Sequence, residues 1–487
     1  MSTSPSPTTT DAPSSRMDRF FRITERGSTV KREVRGGIAT FVAMSYIVVL
    51  NPLVLGLGKD AAGGMLGTER VAAATALVAG ILTIVMGLWA RSPFALATGL
   101  GVNAFVAVTI ATTPHLTWPD MMGLVVWAGI IMFLLVLTGF RTAVFNAVPP
   151  SLKTAIVVGI GLFIALIGLV NAGFIRRVPD DAGTTVPVQL GQNGDLLGWP
   201  TATFVIGMLL TIALMVRRVR GAILISVIAT TIVAHVFEAL APSGSSVDNP
   251  SGWSLVVPET PSKLVGLPDL SLIGKVSLTG GFQHVGAIGA LLLVFTILLS
   301  IFFDAMGTMV GLAREADLID ENDQIENVDR VLLVDAAGAI LGGGASTSSN
   351  QIFVESSTGI ADGARTGLAN IVTGVLFLAA MFITPLVTVV PFEAVAPAMV
   401  IVGFLMASQA AHIDWQDWGV AIPSFLTFAV MPFTYSIADG IGAGFISYAF
   451  IRLIQGRARE VHPLMWVVAV AFVLFFGIGE IGQVLGA

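Results

Sequence analysis

The stretches SPFALATGLGVNAF (residues 92–105) and NQIFVESSTGIADG (residues 350–363) decide how this chain folds. Each opens on a short extended-looking run, Phe94–Leu96 or Ile352–Val354, and turns through Thr98-Gly99 or Thr358-Gly359 into small residues. Glycine lets the backbone leave a strand and begin a half-helix whose unbonded N–H groups face the opposite half-helix. One such segment fits close helix packing equally well. Two in corresponding places mark a binding site at the membrane midplane, framed by discontinuous helices.

Apolar runs of spanning length surround both stretches. A hydrocarbon layer about 30 Å thick needs about twenty helical residues. Such runs fall near 36–55, 71–90, 93–112, 122–140, 153–171, 199–216 and 221–240, and again near 286–312, 331–345, 346–364, 366–390, 395–411, 418–436 and 438–455. The quoted stretches are third in each set. Between the sets lies a polar, Pro- and Gly-rich connection, 241–285, which reads as an extracytoplasmic linker. An odd number of spans per half turns the second copy upside down, the inverted-repeat plan of many secondary transporters. The predicted fold is therefore an all-α polytopic membrane protein of 14 transmembrane segments in two inverted seven-helix repeats, 36–240 and 286–455. Segments 3 and 10 are interrupted by short strands, and a hydrophobic region, 456–487, follows, whose apolar run 464–484 reads either as an extra crossing or as a helix packed outside the repeats.

Composition agrees. Of 487 residues, 55% are hydrophobic and 11% charged, against about 25% charged in soluble domains, and the mean hydropathy is +0.87. With no cysteine and five scattered histidines, disulfides and thiolate chemistry are excluded, and neither a metal site nor a cofactor is expected. A net charge of −6 with 25 Lys and Arg gives no footprint for nucleic acid. Residues 1–15 read as a Ser/Thr/Pro tail. Arg16 to Arg35 mix Phe20, Phe21 and Ile23 with Arg16, Arg19, Arg22, Arg26, Lys31, Arg32 and Arg35, a basic amphipathic stretch suited to a cytoplasmic membrane surface. The N-terminal region, 1–35, is thus placed inside the cell, with the chain multi-pass in the plasma membrane. Arg91, Arg141, Arg217, Arg218, Arg220, Arg365, Arg452, Arg457 and Arg459 fall on the same side, with Arg176 and Arg177 as exceptions.

Ionisable residues inside a membrane are costly and usually functional. Asp304 lies in ILLSIFFDAMGTMVG and Glu355 in the second interrupted segment, each without a Lys or Arg in its own segment. A desolvated carboxyl gains a proton on one side and releases it on the other, which proton coupling needs. Asp335, five residues into its helix, reads instead as a complement to the helix dipole. Asn103, at the start of the first half-helix, offers an amide donor and acceptor. The acidic run 315–329 lacks the glycine and terminal glutamate of a calcium loop and reads as a solvated loop.

Further stretches carry a resemblance. RFFRITERGSTVKREVRGGIATFVAMSYIVVLNP, FFDAMGTMVGLA, FVESSTGIADGARTGLANIVTGVLF and FLTFAVMPFTYSIADGIGAGFISY, with the first stretch above, resemble the azaguanine-resistance-like branch of the nucleobase-cation symport-2 (xanthine/uracil permease) family, over about residues 20 to 480. The resemblance implies permeases for hypoxanthine, guanine or adenine driven by protons. It also implies a core domain (helices 1–4 and 8–11), a gate domain (5–7 and 12–14), an elevator-like motion and a homodimer. The family's binding carboxylate falls on Asp304, its tenth-segment glutamate on Glu355, and its third-segment asparagine on Asn103. The pattern Asp-x-Phe-Asp-Thr-x-Gly-Thr departs here, with Ile301 and Ala305 in place of the first Asp and the first Thr. A polar group positioned to tune the proton site or the purine preference is missing.

A purine–proton symporter is the expected function, with purine nucleobase, proton and lipid bilayer as partners. Glu355, Asp304, Asn103, Thr358, Gly359 and Gly99 are placed around the base, with Phe94 and Phe353 as stacking faces. Asp304 and Glu355 carry the proton. An anion transporter of the same plan is the alternative, but two buried acids argue against it. A nucleobase channel or facilitator is the other. A membrane enzyme would need a nucleophile–base pair or a metal-binding cluster, and neither spacing is visible.

Overall fold

The computed structural model describes residues 15–138, 148–177, 188–192, 194–219, 221–246, 249, 251–254, 256–260, 263–318 and 325–477. Arg141, Arg220, most of the Ser/Thr/Pro tail, the end of the last apolar run and the centre of the acidic loop lie outside these residues. Among them the chain forms helices α1 (Arg16–Phe21), α2 (Val30–Met44), α3 (Ile47–Leu55) and α4 (Thr68–Val85). Strand β1 (Leu96–Thr98), α5 (Leu100–Thr112), α6 (Trp118–Leu137), α7 (Pro150–Asn171), α8 (Trp199–Val216) and α9 (Ala222–Leu240) complete the first half, with a short hairpin of β2 (Ile175–Arg177) and β3 (Val188–Leu190). The second half holds α10 (Gly280–Glu315), α11 (Val328–Gly344), β4 (Asn350–Ile352), α12 (Ser356–Ala361), α13 (Gly367–Ala380), α14 (Phe392–Ala407), α15 (Trp418–Thr434), α16 (Ile437–Ile454) and α17 (Pro463–Phe476).

Ten helical stretches among the described residues are long and apolar enough to cross a membrane. They include Val30–Leu55, so the first crossing starts inside the region assigned to the N-terminal tail. Local chemistry explains the helix starts. Thr29 accepts a hydrogen bond from the Arg32 backbone N–H at the head of α2, and Thr117 with Asp120 forms a capping box on α6. His284, expected to have no role, lies with Nδ1 2.9 Å from the same Asp120.

The helices pack in two groups. In one, α13 lies on α2 and α4, while α6 lies on α10 and α11. In the other, α7 lies on α14 and α15, α15 on α16, and α8 on α9 and α14. Glycines face each other where a first-half helix crosses a second-half one. A Cβ on Gly403 of α14 would stand 2.4 Å from the Gly161 carbonyl oxygen of α7, and one on Gly161 2.7 Å from that of Gly403. Backbones approach this closely only without side chains between them.

Strands β1 and β4 pair antiparallel with Leu96 opposite Ile352, Ala97 opposite Gln351 and Thr98 opposite Asn350. Both halves are thus joined at their interrupted segments. The observed strands lie two residues from the expected runs, later in the first and earlier in the second. Flanking bonds from Gly99 N–H to the Ser349 carbonyl and from Phe353 N–H to the Ala95 carbonyl, both 2.9 Å, extend the ladder over the shared residues. The turn at Thr98-Gly99 falls where expected, because α5 begins at Leu100. The second turn does not fall at Thr358-Gly359: α12 already starts at Ser356, and Gly359 is helical. A Cβ there would lie 2.2 Å from the Thr40 hydroxyl oxygen and 2.5 Å from the Gly36 carbonyl, so this glycine serves the approach of α2.

The basic N-terminal stretch divides its residues. Phe21 and Ile23 bury themselves against Leu368. Arg26 donates to the carbonyls of Arg91 and Arg365 and pairs with Glu326 at 2.9 Å. Half of the stretch therefore braces the loops that follow α4, α10 and α12, and Arg16, Arg19, Lys31, Arg32 and Arg35 stay exposed.

Candidate functional site

Where the two helix groups meet beside the β1–β4 pair, a cavity of about 390 Å³ opens. One wall carries Tyr46, Gly99, Gln351, Phe353, Glu355 and Ser357. The opposite wall is Val157 of α7 with Val402, Leu405 and Met406 of α14, followed by Gln409. Thr308, Leu312 and Glu315 of α10 line the remaining side. Their spacing follows one helix face.

Glu355 holds the residue position before α12, where β4 has ended, and its side chain is half-buried. Tyr46, between α2 and α3 and 1% exposed, donates its hydroxyl hydrogen to Glu355 Oε1 at 2.7 Å. That bond orients the carboxyl toward the cavity. Gln351 is 2% exposed and its amide lies against Gly99, where a Cβ would come within 2.3 Å of Nε2. The glycine is required to seat the amide.

The expected site residues divide into two sets. Glu355, Gly99 and Phe353 come together on the cavity wall. Asn103 does not join them. It is fully buried and donates through Nδ2 to Asn51 Oδ1 at 2.6 Å, while Asn51 donates to Thr75 Oγ1 at 2.8 Å, so it ties α5 to α3 and α4. Phe94 is fully buried in the core, with its carbonyl accepting from Asn370 Nδ2 at 2.8 Å, and is not a stacking face of this cavity. Thr358 and Gly359 are not among the residues lining the cavity, and Gly359 lies against Thr40 and Gly36 of α2. The backbone of Asp304 lies one helical turn before Thr308 in α10, and its side chain lies outside the described residues.

Asp335 has a different task from the one expected. Fully buried, it accepts the Ile352 backbone N–H on Oδ1 at 2.9 Å and so fastens β4 to α11. A strand of three residues leaves its outer N–H groups unpaired by its partner, and a carboxylate from the adjacent helix meets this one. Tyr46, Gln351, Ser357, Thr308, Gln409 and Glu315 were not anticipated. Tyr46 is one of only three tyrosines in the chain, a rarity that flags it, and Gln351 stands inside the quoted stretch. Among the described residues no group of three or more His, Cys, Asp or Glu is placed to hold a metal ion.

The Permease family model matches residues 31–442. A guanine/hypoxanthine permease of Bacillus subtilis (strain 168) is 37% identical over 94% of this chain and 99% of its own length. An adenine permease of Escherichia coli (strain K12) is 36% identical over 94% of this chain and 95% of its own. Among solved structures, the transmembrane domain of a cyanobacterium bicarbonate transporter superposes with a TM-score of 0.53 at 17% identity, covering 91% of this chain and 97% of that one. The murine Solute Carrier 26 family member A9 anion transporter gives 0.58 at 11% identity, covering 87% and 68%. These two share the inverted-repeat fold with this chain. Residue for residue over nearly its whole length, however, the chain belongs to the xanthine/uracil permease family, whose members are multi-pass membrane transporters and not enzymes.

Proposed function

We propose that this protein takes up purine nucleobases together with a proton, as a secondary active transporter with an elevator-like motion. The observation that carries the reading is the carboxyl of Glu355, fastened by Tyr46 in a cavity whose lining has no Lys or Arg. A volume of about 390 Å³ suits a small planar heterocycle. Such a base presents ring N–H donors and carbonyl or ring-nitrogen acceptors, which Glu355, Gln351 and Ser357 complement, and Phe353 offers its ring as a stacking face. Relatives named for guanine/hypoxanthine and for adenine stand at nearly equal identity, which supports purines as the class.

In this reading the ten long spans are completed to fourteen by α5, α11, the β4–α12 segment and α15, with α17 as an additional helix. The first helix group is the core that carries substrate, and the second is the gate. The N-terminus is cytoplasmic, and the cavity opens to that side along the C-terminal turns of α10 and α14. Two protomers form a dimer through their gate domains. Asp304 takes the proton while Glu355 bonds the base. Asn103, Phe94, Thr358 and Gly359 act as scaffold.

The anion-transporter alternative shares the fold, but an anion would meet Glu355 and Glu315 with no cation beside them in the lining. Uptake of radiolabelled hypoxanthine, guanine and adenine into proteoliposomes under an inward proton gradient tests the proposal. Accumulation abolished by a protonophore supports it. Equilibration without concentration identifies a facilitator, and sodium dependence refutes the proton.

A further inference from the structure

We propose that a further cavity, on the flank of the molecule between the core and the gate, holds an acyl chain of an anionic phospholipid from the cytoplasmic leaflet. The cavity has a volume of about 220 Å³ and is lined, among the described residues, by Ile, Leu, Val, Phe and Met side chains alone. One wall is Ile131 and Leu135 of α6 with Phe302 of α10, and the other is Phe445 of α16 with Met465 and Val468 of α17. It shares no lining residue with the candidate substrate cavity. That its walls belong to core and gate rests on the division proposed above, whereas the chemistry of the lining does not.

The lining decides the class of occupant. Without polar side chains, a purine or an ion would lose its hydrogen bonds there, while an apolar cavity stays dry and takes up hydrocarbon. Access is lateral: Leu135, Leu464 and Val468 are half-buried at the rim, and their chain neighbours Leu134 and Val467 are 53% and 65% exposed on the bilayer-facing surface. The floor differs, with Phe302, Phe445 and Met465 each 1% exposed. At the deeper end Phe472 of α17 closes the crevice, its ring 6.1 Å from that of Phe295 of α10 and 6.3 Å from that of Phe445. From Leu464 to Phe472 the helix rises about 12 Å, most of one leaflet's share of a hydrocarbon layer about 30 Å thick.

The shallow end selects the headgroup. Helix α17 starts at Pro463, just after a turn that carries Arg457, Arg459 and Glu460. Arg457 is paired with Glu460 at 2.8 Å, whereas Arg459 is exposed and makes no ion pair among the described residues. A free guanidinium at the membrane surface, cytoplasmic in the orientation proposed above, attracts an anionic headgroup.

Photolabelling of the full chain in proteoliposomes tests this. The probes are phosphatidylglycerol and phosphatidylcholine, each with a diazirine midway along one acyl chain, and labelled residues are mapped by mass spectrometry. Label on Phe302, Phe445 or Met465 is expected, because bulk lipid reaches only outward side chains such as Leu134. Phosphatidylglycerol is expected to label them better than phosphatidylcholine, and Arg459→Gln to reduce that preference by roughly fivefold, the effect of one basic residue near the surface. Val468→Phe fills the slot from its rim and is expected to abolish labelling of the floor while Leu134 stays labelled. Leu135→Phe does the same from the opposite wall and serves where the first variant does not fold. Label confined to outward side chains overturns the site, whether a second copy or other residues of this chain fill it. Equal labelling by the two lipids overturns the anionic headgroup. Photolabelling requires no transport, so a failure of purine uptake overturns the transport reading and leaves this inference standing.

Discussion

The Tyr46 hydroxyl reaches Glu355 Oε1 at 2.7 Å across 309 positions of sequence. It joins the first membrane crossing to the second interrupted segment at the wall of the cavity. Tyr46→Phe removes that donor alone. Without it the carboxyl is free to turn away from the cavity, so purine affinity is expected to fall, read as a raised KM for uptake, and the loss of a hydrogen bond to a charged group, about 1.5 to 3 kcal/mol, is expected to lower the unfolding temperature as well. An unaltered KM would show that Glu355 orients itself without the tyrosine.

Glu355→Gln preserves shape and loses both the full charge and the titratable proton. Concentrative uptake is expected to disappear while the protein still reaches the membrane and unfolds near the wild-type temperature. Accumulation at the wild-type level would remove Glu355 from the mechanism.

Coupling has a sign that pH reveals. A neutral base carried with a proton requires the outward-facing carboxyl to be loaded before the core crosses, because an uncompensated charge in hydrocarbon costs several kcal/mol. Protonation of that carboxyl is favoured as pH falls. Uptake is expected to rise as the external pH is lowered from about 8 to about 6, and adding purine outside to alkalinise the external medium. Asp304→Asn is expected to exchange purine without concentrating it. Uptake indifferent to pH would separate the purine site from any proton.

Asp335 provides a test of the strand pair. Asp335→Asn keeps an oxygen that can accept the Ile352 N–H, whereas Asp335→Ala leaves that buried donor unmet at a cost of about 1 to 3 kcal/mol. Thermal denaturation in detergent is expected to place the alanine variant well below the asparagine one. Equal stability of the two would return Asp335 to a helix-dipole role.

The Gly161–Gly403 crossing is expected to tolerate no methyl group. Gly403→Ala puts a Cβ 2.4 Å from the Gly161 carbonyl oxygen, and overpacking of this kind costs about 1 to 3 kcal/mol. The lowered unfolding temperature of the purified variant measures it. A stability equal to wild type would mean that α7 and α14 separate readily.

The sequence by itself determined the bilayer as solvent, most of the spanning runs and the paired interruptions, and it drew attention to Glu355, which lines the cavity. Each of these is a property of residues close together in the chain. Hydropathy over about twenty residues states whether a helix can cross a membrane, and a strand-to-glycine break is legible within a dozen. The wider resemblance identified the family for the same reason, since identity accumulates along the chain.

Only the tertiary structure decided which polar residues share a cavity. Asn103 and Glu355 looked equivalent in sequence, each in an interrupted segment, yet Asn103 is buried and donates its amide N–H to Asn51, 52 positions away, whereas Glu355 lines the cavity. Phe94 and Phe353 looked like a matched pair of rings, but one is sealed in the core and the other lines the site. Tyr46, Gln351 and Asp335 gained their roles from partners brought by other helices. A buried polar group must find its hydrogen-bond partner wherever packing supplies one. That partner is set by how helices cross, through contacts such as Gly161 on Gly403, and so no local pattern of residues encodes it.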